Sequence, residues 1–236
     1  MPTKEGEPLI SFWQALGVDW THLTLAHVQH LLEKTGLGFV YLPQHFPLAE
    51  AVVSYREQIG KRPPLATLEL IWSPYPTPVH LVSGFVHPPT ETLFRDALAL
   101  RGTTCFTTVK GVEGSCDLPR ERTAIIGICG NVSPPSVTSE APSGFARLHL
   151  HSHDYGFEGK NVPLESVEQG VAAMRSVLEG KPTELMHSVL WNGGFYLWRC
   201  GAVADLNAGI KLAETLLTEG NVLHKLQDLQ QAIATV

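Results

Sequence analysis

The stretch Val109 to Arg122 reads Val-Lys-Gly-Val-Glu-Gly-Ser-Cys-Asp-Leu-Pro-Arg-Glu-Arg and concentrates residue types that handle phosphate and metal. Glu113 and Asp117 carry hard carboxylate oxygens of the kind Mg²⁺ takes. Lys110, Arg120 and Arg122 bring positive charge for phosphate oxygens, arginine as a planar fork and lysine as a point charge. Gly111 and Gly114 permit positive φ and let the backbone approach a ligand closely. The competing reading is a solvated surface loop.

The elements around this loop place it where ligands bind. Pro78 to Phe85 reads as a strand, Pro88 to Arg101 as a helix and Thr103 to Val109 as a second strand. Strand, helix, strand over about thirty residues is a βαβ unit whose strands lie parallel. Ligands of such sheets sit beyond the carboxyl ends of the strands, where the loop emerges. Upstream, helices are expected over Pro8–Leu16, stopped at Gly17, and over Leu23–Lys34, with Thr24 as N-cap, Gly36 as stop and Leu25, Val28 and Leu32 on one face. Phe39–Leu42 reads as a short strand, and Pro47–Ile59 as a helix ended by Gly60. Pro63-Pro64 opens another helix through Leu70. Downstream, Thr123–Cys129 is a strand, Asn131–Gly144 a loop and Ala146–His151 an edge strand. From Pro163 the period is helical. Its stripes are Val167/Val171/Met174/Leu178, Leu206/Ile210/Ala213/Leu217 and Leu223/Leu226/Leu229/Ile233. A more buried helix, Thr183–Cys200, lies between the first two. These stripes read as core, without chemistry.

The chain of 236 residues, 44% apolar and 17% charged, has the composition of an ordinary globular protein with one sizeable core. A net charge of −6 disfavours nucleic acid as a default partner. Cys105, Cys116, Cys129 and Cys200 are scattered without a CxxC pair, which reads as reduced thiols in a cytoplasmic protein. No apolar run approaches the ~20 residues that span a bilayer. His149, His151 and His153 alternate, so a strand would point them to one face, where Zn²⁺ or Ni²⁺ could bind; the competing reading is polar residues on an edge strand. His87-Pro88-Pro89 reads as a structural turn. Gly127-Ile-Cys-Gly is too short for a dinucleotide fingerprint.

Four segments occur in an order that resembles a known family: Ala15-Leu-Gly-Val-Asp; Gly36-Leu-Gly-Phe-Val-Tyr-Leu-Pro-Gln-His-Phe-Pro; His87-Pro-Pro-Thr-Glu-Thr-Leu-Phe; and Trp191-Asn-Gly-Gly-Phe-Tyr-Leu-Trp. They resemble the anthranilate phosphoribosyltransferases of glycosyl transferase family 3. Lys110-Gly-Val-Glu-Gly resembles their divergent second subfamily, the anthranilate phosphoribosyltransferase-like proteins, more than the main one. The resemblance runs over nearly the whole chain. It implies an α/β fold with a mostly parallel sheet flanked by helices, like the large domain of the anthranilate phosphoribosyltransferase / nucleoside phosphorylase fold. It also implies a single domain over 1–236, with a helical leading segment at 1–36 and a helical C-terminal part at 163–236. The family's helical domain, its glycine-rich GTGGD loop and its KHGN segment are not in the sequence. Met1-Pro-Thr-Lys-Glu-Gly resembles the segment just after KHGN, so the chain is expected to correspond to the family's last two thirds, with Met1 an internal start.

The activity the resemblance implies is phosphoribosyl transfer from phosphoribosyl pyrophosphate, with Mg²⁺, to a nitrogen acceptor, a step of tryptophan biosynthesis in the main family. By position Arg56 corresponds to the arginine that holds the anthranilate carboxylate. Glu113 corresponds to the Asp of a metal-binding Asp-Glu pair and Gly114 to its Glu, with Asp117 a substitute carboxylate. The substrate-binding candidates are therefore Arg56, Lys110, Gly111 and Arg120, and the metal candidates Glu113 and Asp117; no catalytic residue is assigned. Departures cluster at the acceptor side. Phe46 stands at a family histidine with His45 one residue early, and Ala66-Thr-Leu-Glu-Leu-Ile-Trp replaces Asn-Leu-Leu-Gly-Pro, which brings Glu69 into an apolar helix. Anthranilate is thus a doubtful acceptor, and the chain alone is expected to lack turnover. Two alternatives remain. One is a nucleic-acid-binding protein of the divergent subfamily, using Lys61, Arg62, Lys110, Arg120 and Arg122. The other is a fragment that forms homo-oligomers or needs a separate N-terminal chain.

Overall fold

The computed structural model describes residues 6–59, 65–75, 78–111, 114–130, 144–160 and 162–236, without the side chains of 56, 57 and 65. The elements in chain order are α1 (Leu9–Ala15), α2 (Leu25–Thr35), α3 (Leu42–His45), α4 (Pro47–Glu50), α5 (Val53–Ile59), α6 (Leu65–Leu68) with a 3-10 turn Glu69–Ile71, β1 (Leu81–Phe85), α7 (Pro88–Leu100), β2 (Phe106–Lys110), β3 (Ala124–Cys129), β4 (Phe145–Leu150), a 3-10 turn Ser152–Tyr155, α8 (Val167–Leu178), α9 (Glu184–Arg199), α10 (Leu206–Thr218) and α11 (Asn221–Ile233). Contacts divide the chain into two compact units, 1–69 with 163–185 and 216–236, and 70–162 with 186–215.

The first unit is helical. Thr24 caps α2 as expected: its hydroxyl accepts from the His27 N–H, and the His27 ring accepts from the Thr24 N–H, so a histidine takes the Glu/Gln position of a capping box. Gly36, at φ 76°, ends the helix in the left-handed conformation. The buried face of α2 is Val28, Leu31 and Thr35, one position around from the expected Leu25, Val28 and Leu32; Leu25 is 44% exposed. This face packs with Val18, Trp20, Leu23, Leu229 and Ala232. A completely buried leucine such as Leu31 or Leu229 contributes about 2 kcal/mol. Phe12 and Leu16 of the first helical segment meet Val171 of α8 in a second cluster.

Two local expectations fail here. Phe39–Leu42 is not a strand. The Tyr41 N–H, which a strand would give to a neighbour, donates to His45 Nδ1 at 2.9 Å, and Pro43 opens a helical turn instead. The helix expected over Pro47–Ile59 is split by a turn at 51–52, where the β-branched Val52 and Val53 adjoin. Gly60, Lys61, Arg62, Pro63 and Pro64 lie outside the described residues.

Among the described residues the second unit is built on a four-stranded sheet in the order β1-β2-β3-β4. β1 and β2 run parallel, with Leu81 opposite Phe106 and Phe85 opposite Lys110, as the βαβ reading requires. β2–β3 and β3–β4 are antiparallel. The α/β class and the flanking helices are observed, and the sheet is mixed where a mostly parallel one was expected. The reason lies in the connections: a parallel return needs a crossover element, which β1–β2 has in α7, while the described residues 114–123 between β2 and β3 form no helix. The expected loop at 131–143 lies outside the described residues.

On one face of this sheet α7 buries Phe94 and Leu98 against Leu81, Phe85, Phe106 and Phe145. Thr107 and Thr108 in β2 are completely buried and point to opposite faces, so each hydroxyl needs a partner. Thr108 donates to Glu91 of α7 at 2.5 Å, and Thr107 accepts from Arg199 of α9 at 2.8 Å.

Candidate functional site

The carboxyl ends of β1 and β2 lie side by side, and the Gly111 N–H reaches the Phe85 carbonyl at 3.1 Å. The chain then folds back over these ends. An added Cβ at Gly84 would lie 1.9 Å from the Gly114 carbonyl oxygen, and one at Gly111 would lie 1.8 Å from that of Ser115. Gly114 takes positive φ, at 83°, as the sequence suggested, whereas Gly111 does not. Gly111 is glycine because the returning backbone leaves no room for a side chain. Gly84 was not foreseen and serves the same end.

The returning segment is ordered by its own polar groups. The Ser115 hydroxyl donates to Asp117 Oδ2 at 2.6 Å and accepts from the Asp117 N–H at 3.0 Å. Asp117 is exposed, and Lys110 at the end of β2 is half-buried. Glu113 lies outside the described residues. From α9, Asn192 brackets Leu118: Oδ1 accepts its N–H at 2.7 Å and Nδ2 donates to its carbonyl at 3.3 Å. Tyr196 donates its hydroxyl to the Cys116 carbonyl at 2.5 Å. Burial pushes both the Tyr196 phenol and the Cys116 thiol up from their ordinary values, so both stay protonated at neutral pH.

Arg120 is placed otherwise than expected. It is 4% exposed, and its guanidinium donates to the carbonyls of Phe157 at 2.9 Å and Glu158 at 3.4 Å and to Ser188 Oγ at 3.2 Å. Its own carbonyl accepts from Ser152 at 2.6 Å. The charge ties the end of the loop to the segment after β4 and to α9, and does not face solvent as a phosphate ligand would. Arg122 is exposed.

Beneath the loop the sheet carries two buried charged networks. Glu91, 4% exposed, accepts both Nη1 of Arg147 at 2.8 Å and Nη2 at 2.5 Å, in addition to Thr108. Gly127 makes room for that carboxylate, since a Cβ there would sit 2.7 Å from Glu91 Oε1 and 2.4 Å from Thr108 Oγ1. On the other face Arg199, 1% exposed, donates Nε to Thr107 and Nη2 to the Cys129 carbonyl at 2.7 Å. Thr107 Oγ1 also hydrogen-bonds His80 Nε2 at 2.8 Å, and His80 Nδ1 lies 3.8 Å from Cys200 Sγ. Burial, with the Arg199 charge, lowers the His80 pKa to about 4.

In the helical unit an open, mostly apolar cleft of about 350 Å³ lies between Pro8–Ile10 and Phe39–Pro43, with Glu50 at its rim. His45 adjoins this segment but is held on both sides, accepting the Tyr41 N–H at Nδ1 and donating from Nε2 to the Leu23 carbonyl at 2.8 Å. The Arg56 backbone lies in α5, and its side chain is outside the described residues. The three alternating histidines do not share one strand. β4 ends at Leu150; His151 Nδ1 lies 3.1 Å from Thr123 Oγ1, and His153 pairs with Asp154 at 2.8 Å. Among the described residues no cluster of three or more His, Cys, Asp or Glu could hold a metal ion.

Sequence reading missed Asn192, Tyr196, Gly84, Glu91 and Arg199. A signal existed for two of them: an amide and a phenol four residues apart on an otherwise apolar helix lie on one face and need partners.

The fold is that of anthranilate phosphoribosyltransferases. The enzyme from Thermus thermophilus superposes with a TM-score of 0.71 at 22% identity, covering 95% of this chain and 64% of that one. The Saccharomyces cerevisiae enzyme in complex with PRPP and Mg gives 0.76 at 16% identity, covering 96% and 62%. In sequence the chain is related to the anthranilate phosphoribosyltransferase of Listeria welshimeri, 29% identical over 227 residues, which is 92% of this chain and 61% of that protein. The chain thus spans about three fifths of the length of the relatives it matches. No family model matches it. Among the described residues no helix is long and apolar enough to cross a membrane.

The donors at the loop suit a Mg²⁺ ion bridged by phosphate better than an all-protein cage. Asp117 offers a hard, exposed carboxylate oriented by Ser115, and Mg²⁺ takes one or two carboxylates plus phosphate oxygens and water.

Proposed function

We propose that the loop 110–118 binds the pyrophosphate side of a phosphoribosyl donor, and that the ancestral activity of the chain is phosphoribosyl transfer to a nitrogen acceptor. The observation that carries this reading is the pressing of the loop onto Gly84 and Gly111 at the carboxyl ends of the one parallel strand pair among the described residues. Backbone rather than side chain lines that end of the sheet, with Lys110 and Asp117 beside it. A bound Mg²⁺ would neutralise charge on the leaving pyrophosphate; Asp117 and Glu113 are the residues proposed to hold it. Lys110 and Gly111 are the proposed phosphate contacts, one as a cation and one as a backbone surface. Arg56 stays a proposed acceptor contact.

The acceptor side favours a neutral aromatic or heteroaromatic amine over anthranilate. The cleft in the helical unit is mostly apolar, the carboxylate of Glu50 is in its lining, and His45 is already occupied. An anionic acceptor would meet like charge there.

Titration calorimetry with phosphoribosyl pyrophosphate, with and without Mg²⁺, tests the reading. Mg²⁺-dependent binding is expected, without product formation by these 236 residues alone, since the GTGGD sequence is not among them. Binding indifferent to Mg²⁺, or no binding at any concentration, would remove the basis for the assignment.

A further inference from the structure

We infer that Asn192 and Tyr196 are positioning residues for the loop, fixing the place of Asp117 from outside as Gly84 and Gly111 fix it from beneath; this rests on the phosphate-site reading above. The described residues of the loop, 114–123, have no regular secondary structure, so their backbone needs other partners. Asn192 supplies them as a neighbouring strand would, taking both the N–H and the carbonyl of Leu118. A backbone N–H can only donate, which sets the amide: Oδ1 faces Leu118 N, and Nδ2 is left for the carbonyls of Leu118 and of Ser188, the latter at 3.0 Å.

Tyr196, four residues on and on the same face of α9, holds the Cys116 carbonyl. The two anchors flank Asp117 on its N-terminal and C-terminal sides. Its carboxylate then has the Ser115 hydroxyl as its internal partner and is otherwise turned to solvent. Burial keeps the Tyr196 hydroxyl protonated, so this anchor stays a donor across the neutral range. Both side chains spend their polar groups on loop backbone. Their effect on a ligand is through the position of Asp117 and of the N–H groups around it, where an ångström matters.

The test uses the full chain with Asn192→Ala, Asn192→Asp and Tyr196→Phe, and two readouts. One is hydrogen exchange of the Leu118 amide without ligand, with Ile126 in β3 as an internal reference for global opening. The other is calorimetric affinity for magnesium pyrophosphate. In Asn192→Ala the Leu118 amide should exchange at least about tenfold faster while Ile126 is unchanged, and affinity should fall about tenfold. Asn192→Asp, which keeps the acceptor, should retain Leu118 protection. Tyr196→Phe, which removes one hydroxyl, should weaken affinity about threefold to fivefold even if the alanine variant folds poorly. Unchanged affinity in both Asn192→Ala and Tyr196→Phe, or an unchanged Leu118 exchange rate in Asn192→Ala, overturns the inference. Absence of binding by the unsubstituted chain sinks the phosphate reading and this role with it, and that outcome is recognisable because it precedes any variant.

Discussion

Substituting Gly84 by alanine is the sharpest single test of how the loop is held. The new Cβ would sit 1.9 Å from the Gly114 oxygen and 2.4 Å from the Ser115 carbonyl carbon and oxygen, against ordinary contact at about 3.4 Å and beyond. Relief requires the loop to lift by about 1 to 1.5 Å, because the obstructing atoms are backbone and not the ends of flexible side chains. A lift of that size stretches the two short loop bonds, Tyr196 to the Cys116 carbonyl and the Leu118 N–H to Asn192 Oδ1, past useful length. Two lost bonds cost about 1 kcal/mol each. Residual overpacking adds about 1 to 3 kcal/mol. The reduced entropy of the unfolded chain on replacing glycine returns about 0.5 to 1 kcal/mol. The net expectation is a destabilisation of about 3 kcal/mol, with weakened binding of magnesium pyrophosphate, measured by urea denaturation and by calorimetry. Gly193→Ala is the matched control. It lies within α9, its added Cβ would be 3.5 Å from Ala213 Cβ, and helix propensity favours the change by about 0.5 to 1 kcal/mol. A Gly84→Ala protein within about 0.5 kcal/mol of the parent would refute the account of the loop as a backbone-on-backbone layer.

Other outcomes follow from the buried groups. Arg147→Met leaves the Glu91 carboxylate buried with Thr108 as its remaining described side-chain partner; because the Arg147 side chain is 34% exposed, the loss should be about 2 kcal/mol rather than the full cost of a broken interior pair, and Glu91→Gln in the same chain should restore at least half of it in denaturant melts. Gly209→Ala would put a Cβ 2.2 Å from the Gly194 carbonyl oxygen where α9 and α10 touch, so a loss of at least about 2 kcal/mol is expected in the same assay. His80 has a folded pKa of about 4 against an ordinary 6.5, so the unfolded chain binds a proton that the folded chain refuses. Stability from this group is full above pH 6.5 and declines as pH falls through 6.5 toward 4, by about 2 kcal/mol once partial solvent contact is allowed for. An imidazole titration by NMR with a midpoint near 6.5 would refute it. Thr24→Ala removes the cap of α2 and should cost about 1 kcal/mol in thermal or urea unfolding.

The βαβ unit was legible because its signals are local. Apolar runs, a Pro-Pro helix start and a glycine-rich turn follow each other within a span that allows one chain path. The C-terminal stripes were legible for the same reason: Val171, Ala213, Leu217 and Leu229 are buried as their spacing required. The short strand at Phe39–Leu42 was misread because an apolar run of four does not reveal whether a neighbouring strand exists, and a side chain, His45, took the N–H instead. The mixed sheet escaped notice because strand direction depends on whether a connection crosses over, which composition shows only by the absence of a helical period. Glu91 and Arg199 look on paper like exposed helix charges. Their burial follows from two threonine hydroxyls in β2, seventeen and ninety-two residues away in sequence. No periodicity carries that information. The candidate loop was found by residue type, but which of its charges are spent on the scaffold, as Arg120 is, required the fold.

The division of labour at the loop bears on how chemistry diverges on this fold. Much of its shape is set outside its charged residues: Gly84 and Gly111 exclude side chains and Asn192 and Tyr196 hold carbonyls and an N–H, with Arg120 and the Ser115–Asp117 pair adding to it. On the proposed reading such a scaffold tolerates carboxylates lengthened, shifted or lost along the loop, with Gly114 at one acidic position of the resembled family and Asp117 an acid further on. On the same reading acceptor contacts diverge separately, since the apolar cleft with Glu50 belongs to the other unit. A fold shared with phosphoribosyltransferases thus constrains the loop architecture more than the ligand, and function has to be argued from the site. The same reasoning orders the experiments. If magnesium pyrophosphate binds and depends on Asn192 and Tyr196, the donor half has survived divergence, and the open variable is the amine that fits an apolar, acid-rimmed cleft. If the loop is held as described yet binds no phosphate, its architecture has outlived its ligand, and the departures at Gly114, Phe46 and Glu69 mark the loss of both half-sites together.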